Sequence, residues 1–134
     1  MTKPSHLDEP ELVQRAHRLQ TGRNSPKAGR ALGEMGKKAL PALHAALDHD
    51  NAFVRSGALH GFAAITPSSD AMVDVIVGAL SKDPDPRVRE TACMMLGQLG
   101  ATAVTRAKEA LDAVANDPDE RVRTAAAKAL AIVL

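Results

Sequence analysis

The chain has 134 residues, with 17 Lys plus Arg against 16 Asp plus Glu and a formal net charge of +1. That length supports one domain with a modest core, and the balance of charge excludes a general pull toward nucleic acid or anionic membrane. There is no Trp, no Tyr and only Phe53 and Phe62, so Ala and Leu must fill the interior. This suits close-packed helices rather than a β-sandwich, and it leaves little for base stacking, aromatic cages or flat organic ligands.

The N-terminal run MTKPSHLDEPEL has no apolar stretch like that of a signal peptide. The first helix is expected at about residues 9–20, with Leu12, Ala16 and Leu19 inward. Ser25-Pro26 supplies an N-cap and first-turn pair for a second helix, whose inward residues are Ala28, Ala31, Leu32 and Met35. Leu40, Leu43 and Leu47 then mark a third helix at 3-and-4 spacing, with Pro41 tolerated near its start. The stripe recurs as Val73, Ile76 and Leu80 after the Pro67-Ser68-Ser69-Asp70 punctuation, and as Ala107, Ala110 and Val114 after Gly100.

Between these lie three copies of one phrase, DNAFVRSGALHGFAAI, PDPRVRETACMMLGQL and PDERVRTAAAKALAIV. Their Val-Arg pairs, Val54-Arg55, Val88-Arg89 and Val122-Arg123, stand 34 residues apart. A fixed period of this size marks a stacked-repeat protein. Aligned on Val54, Val88 and Val122, the apolar rows are Ala58, Ala92, Ala126; Gly61, Met95, Ala129; Phe62, Leu96, Leu130; and Ile65, Leu99, Val133. These offsets form one helical face. We call these the B helices, with the residue 25–35 helix as a degenerate fourth copy in which Asn24-Ser25 replaces Val-Arg, and the helices before them the A helices. Asn51, Asp85 and Asp119 are N-caps, at about 1 kcal/mol each.

The segment DPDPRVRETACMMLGQLG, residues 83–100, closely resembles a HEAT repeat of the short bacterial and archaeal, phycobilisome lyase-like type, and GEMGKKALPALHAAL, residues 33–47, resembles its inter-repeat turn and first helix. The aromatic positions of tetratricopeptide repeats and the ankyrin T-P-L-H phrase are absent. The resemblance implies an all-α fold, a right-handed α-solenoid of four helical hairpins at residues 8–36, 37–65, 68–99 and 101–133 in a single domain. It also implies convex A helices, concave B helices and binding of other macromolecules. Some relatives are bilin lyases, some DNA glycosylases, and some carry a di-iron hydroxylase site. Fold resemblance alone does not choose among these.

Arg55, Arg89 and Arg123 form a regular row at the flank of the buried stripe. They are expected as a structural ladder bonded to loop acids such as Asp83 and Asp117 rather than as an anion site. His6, His17, His44, His49 and His60 show no zinc-ligand spacing, and Cys93 is alone. No disulfide, metal or other cofactor is therefore expected, and Cys93 reads as a buried thiol without a basic neighbour. Residues 15–38 carry Arg15, Arg18, Arg23, Lys27, Arg30, Lys37 and Lys38 against Glu34 alone, a basic patch.

The leading expectation is a non-catalytic cytoplasmic scaffold. It would bind an unidentified protein through the concave rows Ser56, Glu90, Thr124 and His60, Met94, Lys128. Nucleic-acid binding through the basic patch is the alternative, and a subunit of a bilin lyase-like tetrapyrrole protein is the third reading. No membrane partner is expected. In the last helix Ala125, Ile132 and Leu134 give apolar surface on one flank, from which weak homodimerisation through the C-terminal repeat is expected.

Overall fold

The structure, a computed structural model, describes residues 4–134, with side chains from Pro10 onward; His6 lies outside the described side chains. The α-helices are α1 (Pro4–Gln20), α2 (Ser25–Gly33), α3 (Leu40–Leu47), α4 (Ala52–Ala64), α5 (Asp70–Lys82), α6 (Pro86–Leu99), α7 (Ala101–Arg106), α8 (Lys108–Ala113) and α9 (Glu120–Leu130). Single 3-10 turns cover Gly36–Ala39, Val114–Asn116 and Ala131–Val133. No strand occurs among the described residues, so the architecture is all-α and built from repeated helical hairpins.

The helices gather into two compact units, Met1–Thr66 and Pro67–Leu134. In the first, α1 packs on α2, α3 on α4, and the B helices α2 and α4 pack on each other. In the second, α5 packs on α6 and α8 on α9, while α6 and α9 form the B layer. The aligned rows become the core. Val54, Ala58, Phe62 and Ile65 are at most 1% exposed, as are Val88, Ala92, Leu96, Val122 and Ala126. The A stripes supply Leu43, Ile76, Leu80 and Ala107, and Leu111, outside the stripe read from the sequence, is fully buried as well.

The B helices start as the caps require. Asn51 Oδ1 accepts from the Phe53 N–H, Asp85 Oδ1 from Arg87 and Asp119 Oδ1 from Arg121, each at 2.8 Å. Ser69 caps α5 through the Met72 N–H. The expected Ser25 cap is not formed. Ser25 is the first residue of α2 and is buried, its hydroxyl donates to the Gly22 carbonyl at 3.1 Å, and the left-handed Asn24 (φ 47°) stands at the cap position without a side-chain bond. Asn tolerates that conformation because its short amide crowds the following carbonyl less than a branched side chain does.

A second departure is the A helix of the last hairpin, expected whole and found in two parts. The break falls at Ala107 (φ −93°, ψ 3°), whose N–H is shared between the carbonyls of Ala103 and Val104 at 3.0 and 3.1 Å. Such shared bonds tighten one turn toward 3-10 geometry, and the helix resumes with Leu111 N–H to Ala107 O at 2.9 Å. No Pro or Gly marks the site.

The two B–B contacts differ in spacing. A Cβ built on Gly29 would lie 1.8 Å from the Gly57 carbonyl oxygen, and one on Gly33 would lie 2.1 Å from that of Gly61. Backbone therefore meets backbone between α2 and α4, with no flexible side chain to give way. Gly97 holds the position of Gly33 in the second unit, yet a Cβ there would meet only Ile132 and Ala129 at 3.5–3.7 Å, an ordinary contact. Gly33→Ala is expected to cost about 2 kcal/mol or more through overpacking. Gly97→Ala, at the same repeat position, should be neutral or stabilising by about 0.5 kcal/mol through helix propensity. Urea denaturation of both variants measures the contrast, and equal effects would contradict the spacing argument.

Candidate interaction surface

In α4, α6 and α9 the B helix follows a polar loop, and the row arginine is anchored on that loop. Arg55 Nη1 donates to the carbonyls of His49 and Asp50, both at 2.9 Å. Arg89 Nη1 donates to Asp83 O at 2.9 Å, and Arg123 Nη1 to Asp117 O at 2.8 Å and Pro118 O at 3.1 Å. The loop residue six before each arginine also closes its own turn. Asp83 Oδ1 and Asp117 Oδ1 accept from the N–H two residues on, at 2.9 Å, and His49 Nδ1 does so at 3.0 Å.

Arg89 carries the second half of the rung. Its Nε and Nη2 bind the two Asp117 oxygens at 2.8 and 3.0 Å, with side-chain exposures of 15% and 6%. This fork joins α6 to the loop before α9. The hydrogen bond from Arg89 lowers the Asp117 carboxyl below the ordinary carboxylate range, against the opposing effect of burial. Its counterpart on the A side is Arg106, paired with Asp74 at 2.8 and 2.9 Å and with Asp70 at 3.3 Å. The sequence reading passed over this pair, although it spans close to one repeat length. Arg106, Asp70, Ala101, Thr102 and Thr105 line an open depression whose one cation is already held by these two aspartates.

The expected contact rows are not uniformly exposed. Met94 is 52% exposed on α6, and Thr124 and Lys128 are exposed on α9, while Glu90 and His60 are half-buried. Ser56 corrects the expectation of an open row, for it is buried. The reason is local: α4 is packed against α1, α2 and α3 at once, and the glycine contact draws α2 close. Phe53, not singled out in the sequence, is 49% exposed at the start of α4. It stands where the other phrases carry Arg87 and Arg121, a substitution visible in the alignment.

Arg15 corrects the basic patch. It is half-buried, donates to the Ala31 carbonyl of α2 and pairs with Glu11 one turn earlier, so it ties α1 to α2. Arg18, Arg23, Lys27, Arg30, Lys37 and Lys38 are exposed. No group of three or more His, Cys, Asp or Glu side chains among the described residues is placed to hold a metal ion. Cys93 is fully buried, and its thiol is pushed up to about 12, first by desolvation and then by the Asp117 charge. It stays protonated at neutral pH and is a poor nucleophile.

A family model for HEAT repeats matches residues 63–131, just over half of the chain. The chain belongs to the HEAT repeat family. The PBS lyase HEAT-like repeat model also matches residues 27–49, the segment from α2 through α3. Comparison with curated proteins and with solved structures finds no match. HEAT repeats are helical scaffolds for protein interaction. No helix among the described residues is long and apolar enough to cross a membrane.

Two expectations follow. Asp117→Asn removes the charge and half the fork while Arg89 stays largely buried, and should cost about 2 kcal/mol of stability by denaturant titration. His60 has its pKa lowered, first by burial and then by the nearby Arg30 charge. Below the ordinary imidazole value of about 6.5, the unfolded chain therefore binds more protons than the native one. The His60 contribution is complete above that pH and is lost as pH falls below it. His60→Gln should flatten the fall in stability as pH drops below about 6.5; a variant as steep as the parent would exclude His60 as the cause.

Proposed function

We propose that this HEAT protein is a non-catalytic cytoplasmic scaffold that binds another protein through the B-helix face of α6 and α9. The observation that carries the reading is Met94. It is a flexible apolar side chain, 52% exposed, on a surface whose neighbouring positions are polar. Glu90 precedes it by one turn on α6, and Thr124 and Lys128 hold the same two repeat positions on α9. An apolar anchor ringed by polar and charged groups is the usual layout of a contact centre and its rim, and Met suits surfaces that adapt to a partner. The buried rows below keep the backbone fixed, so these side chains are free to serve recognition.

The test begins with affinity capture from native cell extract to identify the partner. Met94→Asp should then weaken binding at least tenfold, and Glu90→Lys with Lys128→Glu should weaken it further. The Met94 and Lys128 changes should move stability by no more than about 0.5 kcal/mol, as surface substitutions do. Unchanged affinity in both variants would remove this face from consideration.

Nucleic-acid binding is a second reading, favoured by the six exposed cations between Arg18 and Lys38. Replacing Arg18, Lys27 and Lys37 with Gln should lower affinity for duplex DNA or RNA and flatten its dependence on salt. No binding at about 50 mM salt, where phosphate contacts are strongest, would dismiss it. The bilin lyase-like reading has behind it only the short repeat match at residues 27–49.

A further inference from the structure

We infer that the seam between α2 and α4 binds a carboxylate-bearing segment of a partner protein, with Arg30 taking a carboxylate and His60 beside it gaining a proton as the carboxylate arrives. The glycine contact builds the site. Gly29 faces Gly57 and Gly33 faces Gly61, backbone against backbone, so the two helices run in the same direction. Arg30 follows Gly29, and His60 precedes Gly61. On parallel helices turning about 100° per residue, a step forward on one and a step back on the other fall on the same side of the contact. With only glycine between the backbones, the guanidinium and the imidazole stand over one shallow seam, Arg30 exposed and His60 half-buried.

The charge names the occupant. Arg30 belongs to a run of exposed cations, with Arg18, Arg23, Lys27 and Lys37, and none of these five forms an ion pair among the described residues. The second unit is built otherwise: Arg87, Arg89, Arg106, Lys108 and Arg121 each hold an aspartate. A guanidinium without an internal partner keeps its fork of donors for a carboxylate from outside. Glu34, one turn beyond Arg30 on the same side of the seam, is exposed as well. It interrupts the cations before Lys37 and would repel a continuous row of phosphates, whereas a peptide can set its carboxylates on either side of it.

His60 couples the site to pH. The charged or titratable side chains described on the helices packed against α4 are Glu11, Arg15, His17 and Arg18 of α1, Lys27, Arg30 and Glu34 of α2 and its cap, and His44 of α3. Of these, the Arg30 charge adds to burial in holding His60 below its ordinary value. A carboxylate on Arg30 offsets that charge and gives the imidazolium a partner, so the bound form keeps a proton that the free form releases. Affinity therefore rises as pH falls through the ordinary imidazole value of about 6.5, while aspartate, at about 3.9, stays ionised. The inference deepens the scaffold reading by naming what a partner carries, but on a surface that includes none of Met94, Glu90 and Lys128.

The probe is a rhodamine-labelled peptide of alternating aspartate and serine, titrated with the full chain and followed by anisotropy. Binding should saturate, and should tighten about threefold or more between about pH 7.5 and 5.5. Arg30→Gln, a change at an exposed position, should weaken it about tenfold. His60→Gln should still bind but lose the pH dependence, and His17→Gln, on the exposed side of α1, should keep it. By NMR, the titration midpoint of His60 should rise when the peptide saturates the chain, a shift that a merely structural histidine would not show. No saturable binding at millimolar peptide would overturn the inference, as would parental affinity in Arg30→Gln or an unchanged pH profile in His60→Gln. Tighter binding of duplex DNA than of the peptide, lost equally on replacing Arg18, Lys27 or Lys37 with Gln, would give the cations to nucleic acid and overturn it too. The assay uses no native partner, so its failure would leave the α6–α9 face standing.

Discussion

A helical repeat must turn the chain sharply before each B helix, and each turn leaves carbonyls pointing inward with no helical donor. The first-turn arginine meets this need in three of the four copies, with Arg55, Arg89 and Arg123 each donating to the carbonyl six residues before. The buried stripe can form only if the turn is held, because the loop fixes where the B helix starts and hence which face it shows. One charged side chain thus sets the phase of some fourteen helical residues in α6. Its cost is desolvation, offset in Arg89 by the Asp117 fork.

Much of this was legible in the sequence because it depends on position. The Val, Ala and Leu rows, the three aspartate and asparagine caps and an arginine row bonded to loop acids all follow from a fixed period and helical spacing, while the pairing of Arg89 with Asp117 comes from the structure. What was not legible depends on distance between backbones. Ser56 looks like Glu90 and Thr124 in the alignment, yet it is buried because α4 is crowded on several sides. Arg15 looks like any surface cation until α1 lies along α2 and offers it the Ala31 carbonyl. The break at Ala107 lies in a stretch of ordinary helix formers, so no local preference could announce it.

The two B–B contacts show how a repeat adjusts spacing without losing phase. Glycine at Gly29, Gly33, Gly57 and Gly61 brings α2 and α4 to backbone contact. Side-chain atoms keep α6 and α9 farther apart, with Ala129 and Ile132 over Gly97. The small residues have traded helix propensity for proximity. That trade is stable only where the opposing helix also lacks side chains, which is why the glycines occur in facing pairs at matching four-residue intervals.

The first repeat departs from the ladder in two places, and one explains the other. Ser25 stands where the later B helices carry arginine, and it meets the same need with a shorter reach, donating to the Gly22 carbonyl three residues back. The next loop position, aspartate in the two later repeats, is here His49. A carboxylate gains from that position only if a guanidinium in the preceding repeat receives it, as Asp117 gains from Arg89; without one it would bear the cost of partial burial alone. Imidazole keeps the other task of the position, its Nδ1 accepting the Asn51 N–H at 3.0 Å, and brings no carboxylate that needs a cation. Loss of the arginine and loss of the acid are therefore one change in the ladder's electrostatics.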